Sequence, residues 1–199
     1  VVQSILKNQL ASPYTLGVSS GASLGAGLVI VTGVTIPVIG GFTLPFVGFI
    51  FGLFTVYLVI LFSSKIDKTM SNNTIILAGM VFSLFVNALL TTLTAMFSED
   101  LKSIALWQMG SFAMRGWTYV WLIIPFCLVG MIGILRYTKE MDILTFGEEQ
   151  AQSVGVDTSK VKTKLFVFSA ILTGGAVSLS GTIGFVDLIA PHVVRKIFG

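Results

Sequence analysis

The chain has 199 residues, of which 54% are hydrophobic and 11% charged; an ordinary soluble domain carries about 25% charged residues. So few charges cannot cover a globule of this size, and a net charge of +3 is too small for a polyanion-binding face, which excludes a soluble enzyme and a nucleic-acid partner. One cysteine, Cys127, rules out an intrachain disulfide framework and a multi-cysteine metal site; the composition is that of a membrane protein with lipid around it, and it points to no metal and no cofactor.

Residues 1–6 read as the tail of an apolar helix that begins upstream, and the chain as a piece cut at both ends. Charge-free runs then cover residues 8–64, 69–98, 116–135 and 165–186. A helix that crosses a bilayer needs about 20 apolar residues and satisfies its backbone polar groups internally. Four spans are predicted over 42–62, 74–97, 119–135 and 165–182, and a fifth over 20–39, interrupted by Gly33 and Pro37. The connection 98–118 predicts a surface helix over 101–109, with Leu101, Ile104, Ala105 and Leu106 toward the membrane or the bundle. Residues 137–160 predict a short helical turn over 141–146, broken by Gly147, and a second helix over 148–154, ended by Gly155. Glu148 and Glu149 would sit at the positive end of that helix, which favours acids. Ile143, Leu144, Phe146, Ala151 and Val154 would form an apolar stripe on the surface of this element, suited to a groove on a partner or to the membrane interface. In 180–199, Pro191 predicts a break or re-entrant turn. Asp187 is expected at the interface, on a water-filled path or beside Arg195, and His192 as a helix-start or packing residue.

Sidedness follows from lysine and arginine asymmetry. Alternating the spans puts Lys7, Lys65, Lys68, Arg136, Lys139, Lys160, Lys162 and Lys164 on one side, and Lys102 and Arg115 on the other. The first side is cytoplasmic. Trp107, Trp117 and Trp121 gather near the outer connection, where interfacial anchors belong.

Two motifs lie together. Gly17, Gly21 and Gly25 form a small-residue ridge of the kind that lets two helices approach closely, and Gly48 and Gly52 repeat it on the next span. The ridge is read as packing or as a surface for helix sliding. The same stretch, Gly17-Val-Ser19-Ser20-Gly21, matches the G-x-S-x-G nucleophile elbow, which requires a preceding strand. An intramembrane serine protease using Ser19 or Ser20 with His192 is therefore one alternative. An ion-coupled secondary transporter with Asp187 as its carboxylate is another.

Five ordered blocks, NQLASPYTLGVSSGASLGA, LAGMVFSLFVNALLT, WQMGSFAMRGW, LTFGEEQAQSVGV and SGTIGFVDLIAPHVVR, together resemble the FecCD-type permeases of bacterial ABC importers. The resemblance covers nearly the whole chain. It departs from the family pattern at Gln9, where proline is usual, and at Asp187, where glycine is usual. It implies an all-α polytopic bundle, this chain forming one permease domain over 1–199 within a subunit of roughly ten membrane helices.

The resemblance also implies roles. Phe146, Gly147, Glu148, Glu149, Ala151 and Gly155 resemble the coupling element that docks on ABC ATPase subunits. Asn8 and Leu10, with Ser71 and Asn72, resemble the cytoplasmic gate. Lys102 and Arg115 lie in the loop facing an extracytoplasmic substrate-binding lipoprotein. A second permease subunit would complete the pathway in the plasma membrane, and iron–siderophore, haem or cobalamin would be the cargo. The chain contains no G-x-x-x-x-G-K-[ST] phosphate loop, so ATP hydrolysis is expected on the partner subunits and this chain is not itself an enzyme.

Overall fold

The computed structural model describes residues 1–9, 11–113 and 116–198. All regular structure among them is helical: α1 Val2–Ile5, α2 Val18–Thr32, α3 Thr43–Ile66, α4 Asn72–Met96, α5 Leu101–Met109, α6 Trp117–Leu135, α7 Thr138–Phe146, α8 Glu148–Ser153, α9 Thr158–Ser180 and α10 Val186–Phe198. Four of them (α3, α4, α6 and α9) are long and apolar enough to cross a bilayer. The protein is a multi-pass membrane helix bundle.

The four expected spans correspond to these helices, and each runs past a predicted bound: α4 and α6 by two residues at their starts, α3 and α9 by more. α3 continues to Ile66, and α9 begins at Thr158 rather than at residue 165. Charge marks where lipid ends, whereas a helix ends where its hydrogen bonds end. Asp157 caps α9 by accepting from the Lys160 N–H at 3.1 Å, so the helix extends well outside the apolar run.

The fifth span is interrupted at Gly33 as expected, and its end is corrected from residue 39 to Thr32. α2 stops at Thr32, where Gly33 adopts the left-handed conformation with φ 63°. Fifteen residues rise about 22 Å, short of the roughly 30 Å hydrocarbon core. α2 also starts deep in the bundle. A Cβ on Gly17, itself at φ 83°, would lie 2.8 Å from Thr55 Cγ2, halfway along α3. The irregular backbone leading to α2 is sheltered by protein, with Leu6, Ala11, Ser12 and Leu16 buried, the condition for non-helical chain at membrane depth. Ser12 satisfies part of it, accepting from the Tyr14 N–H at 3.1 Å and from the Thr15 hydroxyl at 2.6 Å.

The small-residue ridge is where α2 meets α3. A Cβ on Gly21 would lie 2.6 Å from the Phe51 carbonyl oxygen, and one on Gly25 would lie 2.9 Å from that of Val47. From the other side, Gly52 faces the Val18 carbonyl and Gly48 that of Ala22. Backbone thus packs on backbone in both directions.

The predicted break at Pro191 is a second correction, since α10 runs through it from Val186 to Phe198. The ring removes one intrahelical bond, which a helix in a membrane protein can absorb. The interruption falls earlier, over 181–185, where Gly181 (φ 79°) and Phe185 (φ 66°) turn the chain. His192 lies in mid-helix and is exposed. Asp187 and Arg195 line one cavity of about 500 Å³, together with Ser169 and Thr173 of α9.

Candidate functional site

The site forms where α7, α8, the α3–α4 turn and the start of α9 converge on the main apolar core. Val59, Ile60, Met70, Ile75, Leu144, Ala151, Val161, Leu165 and Phe166 belong to that core. Leu144 and Ala151 plug α7 and α8 into it, so the apolar stripe expected on one surface divides. Leu144 and Ala151 turn inward, while Phe146 (77% exposed) and Val154 point out. Gly147 joins the two short helices at φ 132°, in the left-handed region that disfavours side chains, and a Cβ there would strike the Gln150 side-chain oxygen. Glu148 and Glu149 occupy the first turn of α8 as expected. Glu149 is exposed, and so is Gly155.

Lys162 is the centre of the arrangement. It lies on the inward face of α9, in register with Leu165, Phe166 and Ser169, and is 0% exposed. Its Nζ donates to Glu148 Oε1 at 2.7 Å, to the Met70 carbonyl at 2.9 Å and to Asn72 Oδ1 at 3.0 Å. An ammonium has three hydrogens, and three oxygens surround this one. Burying a charge costs several kcal/mol unless it is paired and its hydrogen bonds are satisfied; here both conditions hold. The Glu148 side chain keeps 29% exposure, so the pair sits at the edge of the core. By contrast, the Lys160–Asp157 pair at 2.7 Å is open to solvent.

The turn between α3 and α4 is built to present these acceptors. Asp67 Oδ1 accepts from the Thr69 hydroxyl at 2.6 Å and the Thr69 N–H at 2.9 Å, and Asp67 Oδ2 accepts from the Ser71 N–H at 2.9 Å. These bonds, the Thr69 hydroxyl foremost, hold the Asp67 carboxyl well below the usual carboxylate range. Met70 is forced to φ 51°, which aims its carbonyl at Lys162, and its side chain is buried. Thr163 donates to Met70 Sδ at 3.4 Å.

Two sets of residues that the sequence treats separately, Glu148 of the α7–α8 element and Asn72 at the head of α4, therefore share one lysine. Ser71 is the N-cap position of α4, its hydroxyl 2.9 Å from that of Thr74. Asn8 lies in the turn after α1, its N–H donating to the Gln3 carbonyl at 3.1 Å. Leu10 and Arg115 lie outside the described residues. Lys102 is exposed on α5, far along the bundle from Lys162. Of the expected inner face of α5, Ile104 is buried and Leu101 and Leu106 are exposed.

Sequence reasoning used Lys162 only to assign sidedness. A signal was present: Lys162 precedes Leu165, Phe166 and Ser169 by three, four and seven residues, the spacing of one helix face, whereas Lys160 and Lys164 fall off that face.

Ser19 and Ser20 line a cavity of about 560 Å³ with Tyr14, Ser23, Ser83 and Asn87, and with the apolar Met80 and Leu84. His192 is not part of that lining. The segment before Ser19 is a 3-10 turn, Pro13–Leu16, rather than a strand, so the nucleophile-elbow geometry is not formed.

The model of the FecCD transport family matches residues 1–199. The chain is 43% identical over 197 residues to an uncharacterized ABC transporter permease protein, YvrB, of Bacillus subtilis, covering 99% of this chain and 56% of that one. It is 35% identical to the cobalamin import system permease protein BtuC of Halobacterium salinarum, over 100% of this chain and 53% of the relative. It is 32% identical to the hemin transport system permease protein HmuU of Yersinia pestis, over 100% and 60%. A solved structure described as a metal-chelate type ABC transporter in an inward-facing conformation superposes with a TM-score of 0.86 at 34% identity, covering 99% of this chain and 61% of that one. The chain thus spans little more than half the length of the curated relatives it matches. Matched from its first residue to its last, it belongs to the FecCD transport family.

Proposed function

We propose that this chain is part of the permease subunit of an ATP-driven ABC importer in the bacterial plasma membrane. In this reading α7 and α8 face the cytoplasm and dock on an ABC ATPase subunit. Phe146, Glu149 and Gly155 supply the exposed docking face, Ala151 anchors it to the bundle, and Gly147 and Glu148 fix its angle. Asn8, Leu10, Ser71 and Asn72 form the cytoplasmic gate. Lys102 and Arg115, at the opposite end, receive a substrate-binding lipoprotein. A second permease subunit completes the pathway, and Gly17, Gly21 and Gly25 hold the bundle that carries it. ATP is hydrolysed on the partner subunits, and their closure displaces α7 and α8.

The observation that carries this reading is the family match along the whole chain, joined to a helix pair that projects Phe146 while rooted in the core by Leu144 and Ala151. Cargo is proposed as iron–siderophore, with haem and cobalamin as the other candidates; relatives are named for cobalamin, hemin, Fe(3+)-citrate and molybdate. The test is uptake by the full-length permease reconstituted with its ATPase and binding protein, using labelled ferric siderophore, haem and cobalamin in parallel. ATP-dependent accumulation of one of them is expected. Accumulation driven by a proton gradient without ATP would overturn the reading.

A further inference from the structure

Lys162 belongs neither to the proposed docking face nor to the gate, yet it touches both elements. We propose that Lys162 is a positioning residue that makes α8 and the head of α4 move as one body, passing displacement of the motor-facing helices to the gate segment. This inference rests on the permease reading above.

Three features carry it. First, the three acceptors of Nζ lie on separate stretches of chain: Glu148 opens α8, Met70 closes the α3–α4 turn and Asn72 opens α4. Among the described residues, no other hydrogen bond joins α8 to the 67–74 segment, either directly or through one side chain. Second, the segment on the receiving side is stiff. Asp67 pins Thr69 and Ser71, and Thr163 holds Met70 from α9, so a pull on the Met70 carbonyl reaches α4 instead of being lost in a slack loop. Third, the lysine end of the joint is dry. Lys162 is fully buried, although Glu148 keeps 29% side-chain exposure, so a bond lost at Nζ leaves the buried ammonium short of a partner and the segments favour staying linked. A flexible stem ending in three pyramidal donors suits three divergent acceptors; a planar guanidinium does not.

The test uses the full-length permease assembled with its ATPase, with Cys127 and every cysteine outside these 199 residues replaced by alanine and the exposed Asn73→Cys as reporter. The reporter's labelling rate by a water-soluble maleimide is compared without nucleotide and with ATP plus vanadate. The lysine-containing protein should show at least about a fivefold change. Lys162→Met should bring that change to within about twofold while ATP hydrolysis per assembled complex is retained. Asn72→Ala, which removes a single bond, should lower the response part of the way, and it decides the matter if Lys162→Met does not assemble. A full response in Lys162→Met, or in Asn72→Ala when that variant decides, overturns the inference and leaves the permease reading standing. No nucleotide response in the lysine-containing protein overturns the permease reading itself.

Discussion

Glu148 and Lys162 meet at 2.7 Å although one opens a short peripheral helix and the other is fully buried in a long core helix. The carboxylate belongs to the element expected to touch a motor subunit, and its partner donates the remaining two hydrogens to the Met70 carbonyl of the α3–α4 turn and to Asn72 at the head of α4. A mobile loop would have no need of so deep an anchor.

Removing the acid should therefore destabilise the bundle beyond the loss of one surface contact. Glu148→Ala strands a buried ammonium, for which the loss is about 3–5 kcal/mol in a closed site; the partial exposure of Glu148 lowers this to roughly 2 kcal/mol. Thermal unfolding of the full-length permease in detergent should show a clear drop in midpoint. Lys162→Met with Glu148→Leu should recover much of it, because an apolar pair leaves no charge unpaired. An unchanged midpoint in Glu148→Ala would mean that the pair is not closed in the membrane.

Glycines of the α2–α3 contact should tolerate no side chain. Gly21→Ala places a Cβ against the Phe51 carbonyl, 2.6 Å away, and overpacking of this kind costs about 1–3 kcal/mol. Gly41→Ala, with nothing within 4 Å of the added atom and no left-handed backbone, should be neutral. Equal detergent stability of the two variants would contradict the packing described.

Gly147→Val meets both a left-handed backbone at φ 132° and the Gln150 side chain. It should re-aim α8 and cut uptake at least about tenfold, the size of loss expected when a positioned contact shifts by an ångström or so. Membrane insertion, followed by a fused reporter, should be normal. Normal uptake would show that the angle between α7 and α8 does not matter.

Asp67 sets a pH limit on the α3–α4 turn. Its carboxyl is held low by the Thr69 hydroxyl and Ser71, so its stabilising contribution is complete above the unfolded carboxylate value of about 3.9. That contribution is lost as pH falls through the lower folded value. Protection of Lys65 and Lys68 from limited proteolysis should be the same at pH 5 and pH 7, and Asp67→Asn should weaken it at both. Loss of protection in the unsubstituted protein between those values would place control elsewhere.

Much of this architecture could be read from the residues alone. The four spans, helix α5 with its bounds 101–109, and the glycine ridge follow from apolar run length and small-residue spacing. What failed did so for physical reasons. The start of α9 lay hidden behind Lys160, Lys162 and Lys164, because charge reports the edge of lipid and says nothing of the Asp157 cap. Pro191 read as a break because its ring removes a bond, although one lost bond does not end a helix. The division of the 143–154 stripe depends on α7 packing on α1 and α8 packing on α9, which no local pattern describes. Lys162 was overlooked because a lysine at a membrane edge is ordinarily solvated; only its register with Leu165, Phe166 and Ser169 set it apart.

For α7 and α8 to meet an ATPase they must face the cytoplasm. The direct measurement is cysteine labelling of the full-length permease carrying Glu149→Cys, with Cys127 and every cysteine outside these 199 residues replaced by alanine, using a membrane-impermeant maleimide. Rapid labelling is expected in inverted membrane vesicles and none in intact spheroplasts. Labelling in intact spheroplasts would put the helix pair on the outer face and contradict that orientation.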